Sequence, residues 1–593
     1  MPSQRHGSLI PRATPLFLGV AIFFWIGSVR SARATTMTAY GIISQLNWMF
    51  YFSLILVSFV AGVELAKVRP RRTVLTWTII TLVLILFGTS PATTQVGALT
   101  DSYIHTGFTS YILQHGSSLL NYDARFSWPG AFAFAGFQAT ASGVTSTLPF
   151  LKWFPLVIEL AYLAPLLVIA RHCGSSLRAG YLGVILFYTG NWIYQDYFSP
   201  QALNYLFFLT VVAVAMATWY PSESTAKNRL GKALQTWSLH RIRGDDSYSI
   251  LHPRVEILLI AVLTLLMAAS AVSHQLTPFA MVLALLALLG ARRLARPEVL
   301  VIAMLLPITW LSIGAFNFWV GHLSLIFGSV GSIGATIGSN VGSRVVGSSS
   351  HLLVVKWRIY ATAILFALAG LGVLRRASDD RSLELLSGSP FVLLLAQSYG
   401  GEGLLRATLY SLPFTSQLAA SAVLPRRWGA TRPWVALLKP RRLPGVRRLL
   451  GLCISVLIVG TGVLLIFVRG GNDYFETYNQ SELDAVHFVD AHARHGAVVG
   501  VFSTYLPIGD ASPLQYSIFS TDERSSSPSS ALAVMRATHP NFVIVTRSQE
   551  NWGEVVMGYP KGWEYADERA LRRDGYRVVF KSASAEVLQR GNS

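Results

Sequence analysis

Asp101, Asp123, Asp196 and Glu402, together with His105, His274, Gln201, Gln275, Arg125 and Arg406, are the residues of this chain whose types and positions can do chemistry. They stand where apolar segments end. Asp101 and His105 occur in TDSYIHTGFTSYILQHG, and Asp123 and Arg125 in NYDARFSWPGAFAFAG. Asp196 and Gln201 occur in NWIYQDYFSPQ, His274 and Gln275 in SHQLTP, and Glu402 and Arg406 in SYGGEGLLRATLY. Ionisable groups at membrane depth are costly to place and usually functional. Set together, these sketch an aqueous cavity lined by carboxylates and a few arginines. The Gly-Gly-Glu-Gly turn suits a close approach of backbone N–H groups to a ligand. Each residue also has a plainer reading. Asp101 caps a helix, Asp196 sits in a Pro turn, Asp123 pairs with Arg125, and His274 lies at an interface. Glu402 and Arg406 form an i, i+4 ion pair. The functional reading rests on their common face, not on any one of them.

The elements that must position these residues are apolar. Of 593 residues, 52% are hydrophobic and 13% charged. A soluble domain carries roughly a quarter of its residues as charges, so most of this surface faces something other than water. Spans are expected at 13–29, 42–65, 73–89, 150–170, 180–194, 202–220, 255–273, 279–291, 299–319, 358–374, 382–397, 408–424 and 449–468, about thirteen in all. The first is expected to stay as a span, since no A-x-A-like cleavage site follows it cleanly. Net charge is +19. In a soluble protein that points to nucleic acid, but here it reads as topogenic charge, with no nucleic-acid partner. With the N-terminus inside, the cytoplasmic segments hold 28 Lys and Arg and the opposite short loops hold 8. Thirteen spans then put the C-terminus outside, on the face that carries the polar motifs. Cys173 and Cys453, far apart in sequence, imply neither a disulfide nor a metal site.

The outer stretch 90–149 holds Ile104, Phe108, Tyr111 and Ile112 at helical spacing, which predicts an amphipathic helix lying in the interface with Asp101 as its N-cap. The Gly- and Ser-rich loop 321–357 reads as a mobile lid. Glu159 falls inside a span and is unassigned. Two domains are expected: 1–468 in the membrane and an α/β domain over 469–593. In the latter, SELDAVHFVDAHARHG predicts a helix capped by Ser481, and AVVGVFS and NFVIVTRS predict strands. SSALAVMRATHP, SQENWGEVVMGYPKGW and ADERALRRDG predict helices, and YRVVFKSASAEVLQ one or two final strands. No phosphate-loop glycines, Ser nucleophile elbow or metal-ligand spacing appears there. A role covering the outer cavity, or binding a glycan or partner, fits that domain better than independent catalysis.

This layout resembles the membrane-embedded C-type glycosyltransferases, the GT-C superfamily. Their first large outer loop carries an acidic residue ahead of a juxtamembrane helix, and Asp101 in TDSYIH matches that position. QDYFSPQALNYLF, SHQLTP and YGGEGLLR look like motifs of an actinobacterial subgroup of such enzymes, and 40 Arg against 8 Lys suits a high-GC genome of that kind. The resemblance covers most of the chain in layout. It implies a polytopic helical protein of the plasma membrane. It implies a transferase moving sugar from a polyprenyl-phosphate donor to a glycan or protein acceptor of the cell envelope, with inversion. Asp101 is then the base for the acceptor hydroxyl, with His105 beside it. Asp196 is a second carboxylate or metal ligand. Arg406 and Arg125 bind the lipid phosphate, and Asp123, Gln201, His274, Gln275 and Glu402 complete the substrate site. A divalent metal such as Mg2+ or Mn2+ is compatible with carboxylate ligands, although the sequence shows no dedicated cage.

Rival classes use the same features. A transporter or flippase explains many spans, but it often shows internal repeats and broken helices at the midplane; no repeat is found, and the polar motifs sit at span ends. A polysaccharide polymerase or ligase would use the same lipid donors, and a scaffold in wall assembly would need no chemistry.

Overall fold

The computed structural model describes residues 10–591 apart from 33–35, 174–175, 219–252, 295, 322–337, 339–341, 343–344, 377–379, 396–401, 425–443 and 523. Each apolar segment read from the sequence falls on helix. The first three are α1 (Ile10–Ser31), α2 (Trp48–Ala66) and α3 (Arg72–Thr93). Two helices follow in the polar stretch, α4 (Thr100–His115) and α5 (Gly130–Ala141). The chain then runs through α6 (Phe154–His172), α7 (Leu177–Gly190), α8 (Pro200–Thr218), α9 (Pro253–Ser273), α10 (Thr277–Gly290) and α11 (Pro297–Ile313). It continues with α12 (Ser349–Arg375), α13 (Ser382–Gly388), α14 (Gly403–Val423) and α15 (Pro444–Arg469).

Among the described residues eight helices are long and apolar enough to cross a membrane: α1, α2, α3, α6, α8, α9, α12 and α15. That is fewer than the thirteen expected. α7, α10, α11 and the segment Ser382–Leu395 are shorter. α14 is long but polar, and it is buried almost throughout. Its polar side chains bond inside the bundle: the Ser411 hydroxyl donates to the Ser387 carbonyl at 2.6 Å, and the Gln417 amide Nε2 to that of Gly180 at 3.1 Å. Periphery and centre thus differ as a bilayer requires. Phe23, Leu265 and Leu374 are exposed on outer helices, whereas the polar side chains of α14 are turned inward. By this patterning the chain is a multi-pass membrane protein.

Three local expectations are corrected. α12 begins at Ser349, ahead of the expected 358, because the Ser348 side chain accepts from the His351 N–H and caps it. The expected lid over 321–357 therefore includes the start of a helix, and most of its remainder, with Gly400 and Gly401, lies outside the described residues. Asp101 is not the N-cap of α4. Leu99, with φ 65°, holds that place, and Asp101 lies in the first turn. α4 is also packed on more than one side. Its Phe108 and Tyr111 pack with Phe126 and Phe132, and on another side Gly107 meets the C-terminal part of the chain.

Beyond α15 the chain builds a five-stranded sheet in the order β2-β1-β3-β5-β4. The strands are β1 (Ala497–Val501), β2 (Tyr516–Ser520), β3 (Phe542–Thr546), β4 (Tyr576–Lys581) and β5 (Ala585–Arg590). β1 pairs parallel to β2 and β3, while β5 pairs antiparallel to β3 and β4. Its helices are α16 (Gln480–His492), α17 (Pro528–Thr538), α18 (Arg547–Trp552) and α19 (Trp563–Arg573). β3 is buried at every position because both faces are covered. Phe542 and Ile544 meet Val486 and Val489 of α16, and Val543 and Val545 join Met535, Trp563 and Leu571 on the other side. The cap of α16 is Asn479, in a capping box with Glu482, not Ser481.

This sheet region is stitched to the start of α4. Leu99 N–H donates to the Glu476 carbonyl at 3.0 Å, and Thr100 Oγ1 donates to that of Thr504 at 2.6 Å.

Candidate active site

Five segments converge on one polar cavity of about 150 Å³. It is lined by Asp101 and His105 of α4, Arg125 and Trp128, Tyr197, Ser199, Pro200 and Gln201 at the head of α8, Ser273, His274 and Gln275 between α9 and α10, and Glu402 and Arg406 at the head of α14. Eight of the ten residues singled out in the sequence are here; Asp123 and Asp196 are not. Asp123 stands directly behind. Its carboxylate caps the short turn Ala124–Ser127 and takes Arg125 Nε and Nη2 at 2.9 Å each. That leaves Arg125 Nη1 to reach Asp101 Oδ1 at 3.1 Å, with the guanidinium 5.0 Å above the Phe108 ring. Burial pushes the Asp123 carboxyl up, but the bonds from Arg125 outweigh it and hold the group below the usual carboxylate range.

The second arginine is held by a longer network. Arg406 donates through Nη1 to Gln201 Oε1 at 2.5 Å and through Nη2 to Glu402 Oε2 at 2.8 Å. Gln201 Nε2 donates to the Tyr410 hydroxyl at 3.1 Å, which meets Thr277 Oγ1 at 2.6 Å, and Thr277 Oγ1 meets His274 Nδ1 at 3.0 Å.

The two histidines are neutral and complementary. His274 Nδ1 accepts the backbone N–H groups of Leu276 and Thr277 at 3.1 Å each, so the ring proton belongs on Nε2, a donor. His105 Nδ1 lies 2.9 Å from the Phe198 carbonyl and must donate, which makes Nε2 an acceptor. Burial, then the nearby Arg125, push His105 down to about 4. Burial, then Arg406, push His274 well below the usual imidazole range.

Two further cavities share residues with this one. An apolar cleft of about 510 Å³ shares His105, Ser199 and Pro200, and is walled by Phe132, Phe134, Phe150, Trp153, Phe154, Val157 and Leu203. A polar cavity of about 540 Å³ shares Asp101, Tyr197 and Glu402, and is walled by Arg358, Asn472, Glu476, Thr504 and Tyr505. Sequence reasoning missed Tyr197 and Ser199, although both lie in the QDYFSPQ motif. It missed the apolar cleft altogether, because Phe150, Trp153, Phe154 and Val157 read equally well as span residues and nothing near them marks Phe132 and Phe134 of α5 as their partners.

Asp196 is placed elsewhere. It is 2% exposed, and both its oxygens accept from Arg469 Nη2 at 2.8 Å. Arg469 lies 4.1 Å from the Tyr194 ring centroid. Glu159, fully buried nearby, accepts from Asn191 Nδ2 at 2.7 Å. The carboxylates of the cavity do not fit a metal centre. Asp101 and Glu402 each face a guanidinium, and among the described residues the only grouping of three metal-type ligands is His487, Asp490 and Asp510, in the sheet region.

No family model matches the chain, and no curated protein matches it. Among solved structures it is similar to the apo oligosaccharyltransferase of Archaeoglobus fulgidus, at 11% identity over 84% of this chain and 70% of that one, with a TM-score of 0.44. It is similar also to ArnT from Cupriavidus metallidurans bound to undecaprenyl phosphate, at 12% identity over 92% of this chain and 98% of that one, with a TM-score of 0.45. Likenesses this distant carry no residue roles or substrate to this chain.

Proposed function

We propose that the protein is a membrane glycosyltransferase that moves a sugar from a polyprenyl-phosphate donor to a cell-envelope acceptor on the outer face. One observation carries this reading: a small cavity with two arginines shares lining residues with an apolar cleft and, through different residues, with a larger polar cavity. A lipid-linked sugar needs that order of surfaces. Its chain suits the cleft of Phe134, Trp153 and Val157, and its phosphate suits the guanidinium groups of Arg125 and Arg406. The acceptor then enters from the polar cavity beneath Thr504 and Tyr505, where Asp101 and Glu402 are exposed.

In this reading Asp101 takes the proton of the acceptor hydroxyl as its oxygen attacks the anomeric carbon. The bond from that carbon to the phosphate oxygen breaks, and the phosphate leaves with the electron pair. Attack from the face opposite the phosphate gives inversion. Arg125 and Arg406 stabilise the charge that develops on the leaving group. No step uses a metal, because the cavity's carboxylates are already matched by guanidinium groups.

The test is transfer of labelled sugar from polyprenyl-phosphate donors in nanodiscs. Transfer with at least one donor is expected. Failure with every lipid donor overturns the reading in favour of transport or a scaffold role. The orientation is tested on a cysteine-free background. Gln480→Cys is expected to react with an impermeant maleimide in intact cells and Gln235→Cys is not; labelling at 235 overturns the outer placement of the site.

A further inference from the structure

We infer that His487, Asp490 and Asp510 form a binding site for a divalent zinc-class cation, separate from the candidate active site. His487 and Asp490 stand one turn apart on α16, and Asp510 comes from the connection between β1 and β2. One ligand atom from each lies within 4.8 Å of the others, and His487 Nε2 is 2.9 Å from Asp510 Oδ2.

Two observations separate this cluster from an ordinary acidic patch. The first is charge. Asp101, Asp123, Asp196 and Glu402 each face an arginine. Among the described residues Asp490 forms no ion pair, and Asp510 pairs with His487 alone. With the imidazole neutral, as a ligand must be, the cluster carries two uncompensated negative charges. The second is an orphaned atom. The Asp510 side chain is only 9% exposed, yet its Oδ1 has no hydrogen-bond partner. A buried carboxylate oxygen without a partner is costly, and a cation at the cluster satisfies it.

The donor set selects the ion. One imidazole nitrogen and two carboxylates suit Zn2+, which takes nitrogen and oxygen ligands in fours. They are too few for Ca2+ and too nitrogenous for Mg2+. The His487 side chain, 42% exposed, leaves an open side for water as fourth ligand. The site also has a mechanical consequence. Next to Asp510, Gly509 lies at φ +107°, and its carbonyl oxygen is 2.0 Å from where a Cβ on Gly107 of α4 would stand. The bound ion therefore ties α16 to the loop that presses on the helix carrying Asp101 and His105.

The experiment uses full-length, tag-free protein in nanodiscs, titrated with Zn2+, Mg2+ and Ca2+ and followed by metal analysis after buffer exchange. Retention of about one Zn2+ per chain is expected, without comparable binding of Mg2+ or Ca2+. His487→Ala and Asp510→Asn are each expected to weaken Zn2+ binding beyond the roughly 10–100-fold that second-shell changes cost. His492→Ala, outside the cluster, is expected to leave it unchanged. Zn2+ is also expected to slow hydrogen exchange of the amides at 505–513 in the parent and not in Asp510→Asn. Zn2+ binding that survives both ligand substitutions, or a parent that retains no Zn2+, overturns the site. Both results are independent of whether sugar transfer is observed.

Discussion

Asp101 and Asp196 are each paired with an arginine, and their surroundings give them different tasks. The Asp196–Arg469 pair is sealed: the two side chains are 2% and 9% exposed, and both carboxylate oxygens are engaged. The Asp101–Arg125 pair is open, with side chains 52% and 33% exposed, and it stands where two polar cavities meet. A sealed pair is poor at chemistry, because neither partner can reach a substrate, yet losing one partner strands a buried charge. An open pair adds little to stability and leaves the carboxylate accessible. Burial, not residue type, separates the structural carboxylate from the candidate base.

The largest effect is expected at Asp101. Asp101→Asn keeps size and removes the base, so transfer should fall roughly 10²–10⁴-fold, while the melting temperature hardly moves because an exposed pair contributes at most about 1 kcal/mol. Parallel transfer and melting measurements on the purified variant check this. Full activity would reduce Asp101 to a partner of Arg125 and make Glu402 the next candidate.

Asp196→Ala should show the reverse pattern. Leaving Arg469 buried and unpaired is expected to cost about 3–5 kcal/mol, seen as low folded yield and a large drop in melting temperature. The double change Asp196→Leu with Arg469→Met should recover much of that loss, since apolar replacement of a buried pair is often neutral. If Asp196→Asn instead melts like the parent and has lost transfer, the contrast between the two pairs fails and Asp196 returns to the chemistry.

A smaller effect is expected in the apolar cleft. Phe134, 47% exposed, lines it. Phe134→Ala removes apolar contact worth up to about 1.5–3 kcal/mol, so KM for a long-chain polyprenyl donor should rise roughly tenfold with kcat little changed. A short-chain donor should show less. Equal losses for both chain lengths would say that the cleft does not hold the lipid.

The sequence makes the helices legible because runs of apolar residues admit one solution in a bilayer. It makes much of the cavity legible because polar groups at the ends of such runs have few other reasons to be there. What it hides depends on contacts between distant parts of the chain. The partner of Asp196 is Arg469, and nothing near either residue announces the other. The third ligand of the zinc-class site is Asp510, far from His487 and Asp490, so no spacing motif shows it. β2 is missed because its Ser517 and Ile518 are exposed, and a short edge strand lacks the apolar run that marks β3. The caps of α4 and α16 are missed because several residues near each start are acceptable and tertiary contacts choose between them. At α4 the choice is made by the bond from Leu99 N–H to the Glu476 carbonyl, across the whole membrane region of the chain.

The smallest effect concerns pH and separates His105 from the carboxylates beside it. In the folded protein its imidazole is pushed down to about 4 by burial and by Arg125, against about 6.5 in an unfolded chain. The folded state therefore binds fewer protons than the unfolded state in between. The stability this represents is fully present above pH 6.5 and is lost as pH falls towards 4. At pH 5.5 the loss is about 1.4 kcal/mol, one unit below the unfolded value. His105→Asn keeps a side-chain N–H for the Phe198 carbonyl and cannot titrate, so its melting temperature should fall less than the parent's between pH 7.5 and 5.5. Transfer by the parent should show no inflection near 6.5, because neither His105 nor His274 changes charge there in the folded protein. An inflection near 6.5 that disappears in His105→Asn would mean that the imidazole is protonated in the working enzyme and that its burial has been misjudged.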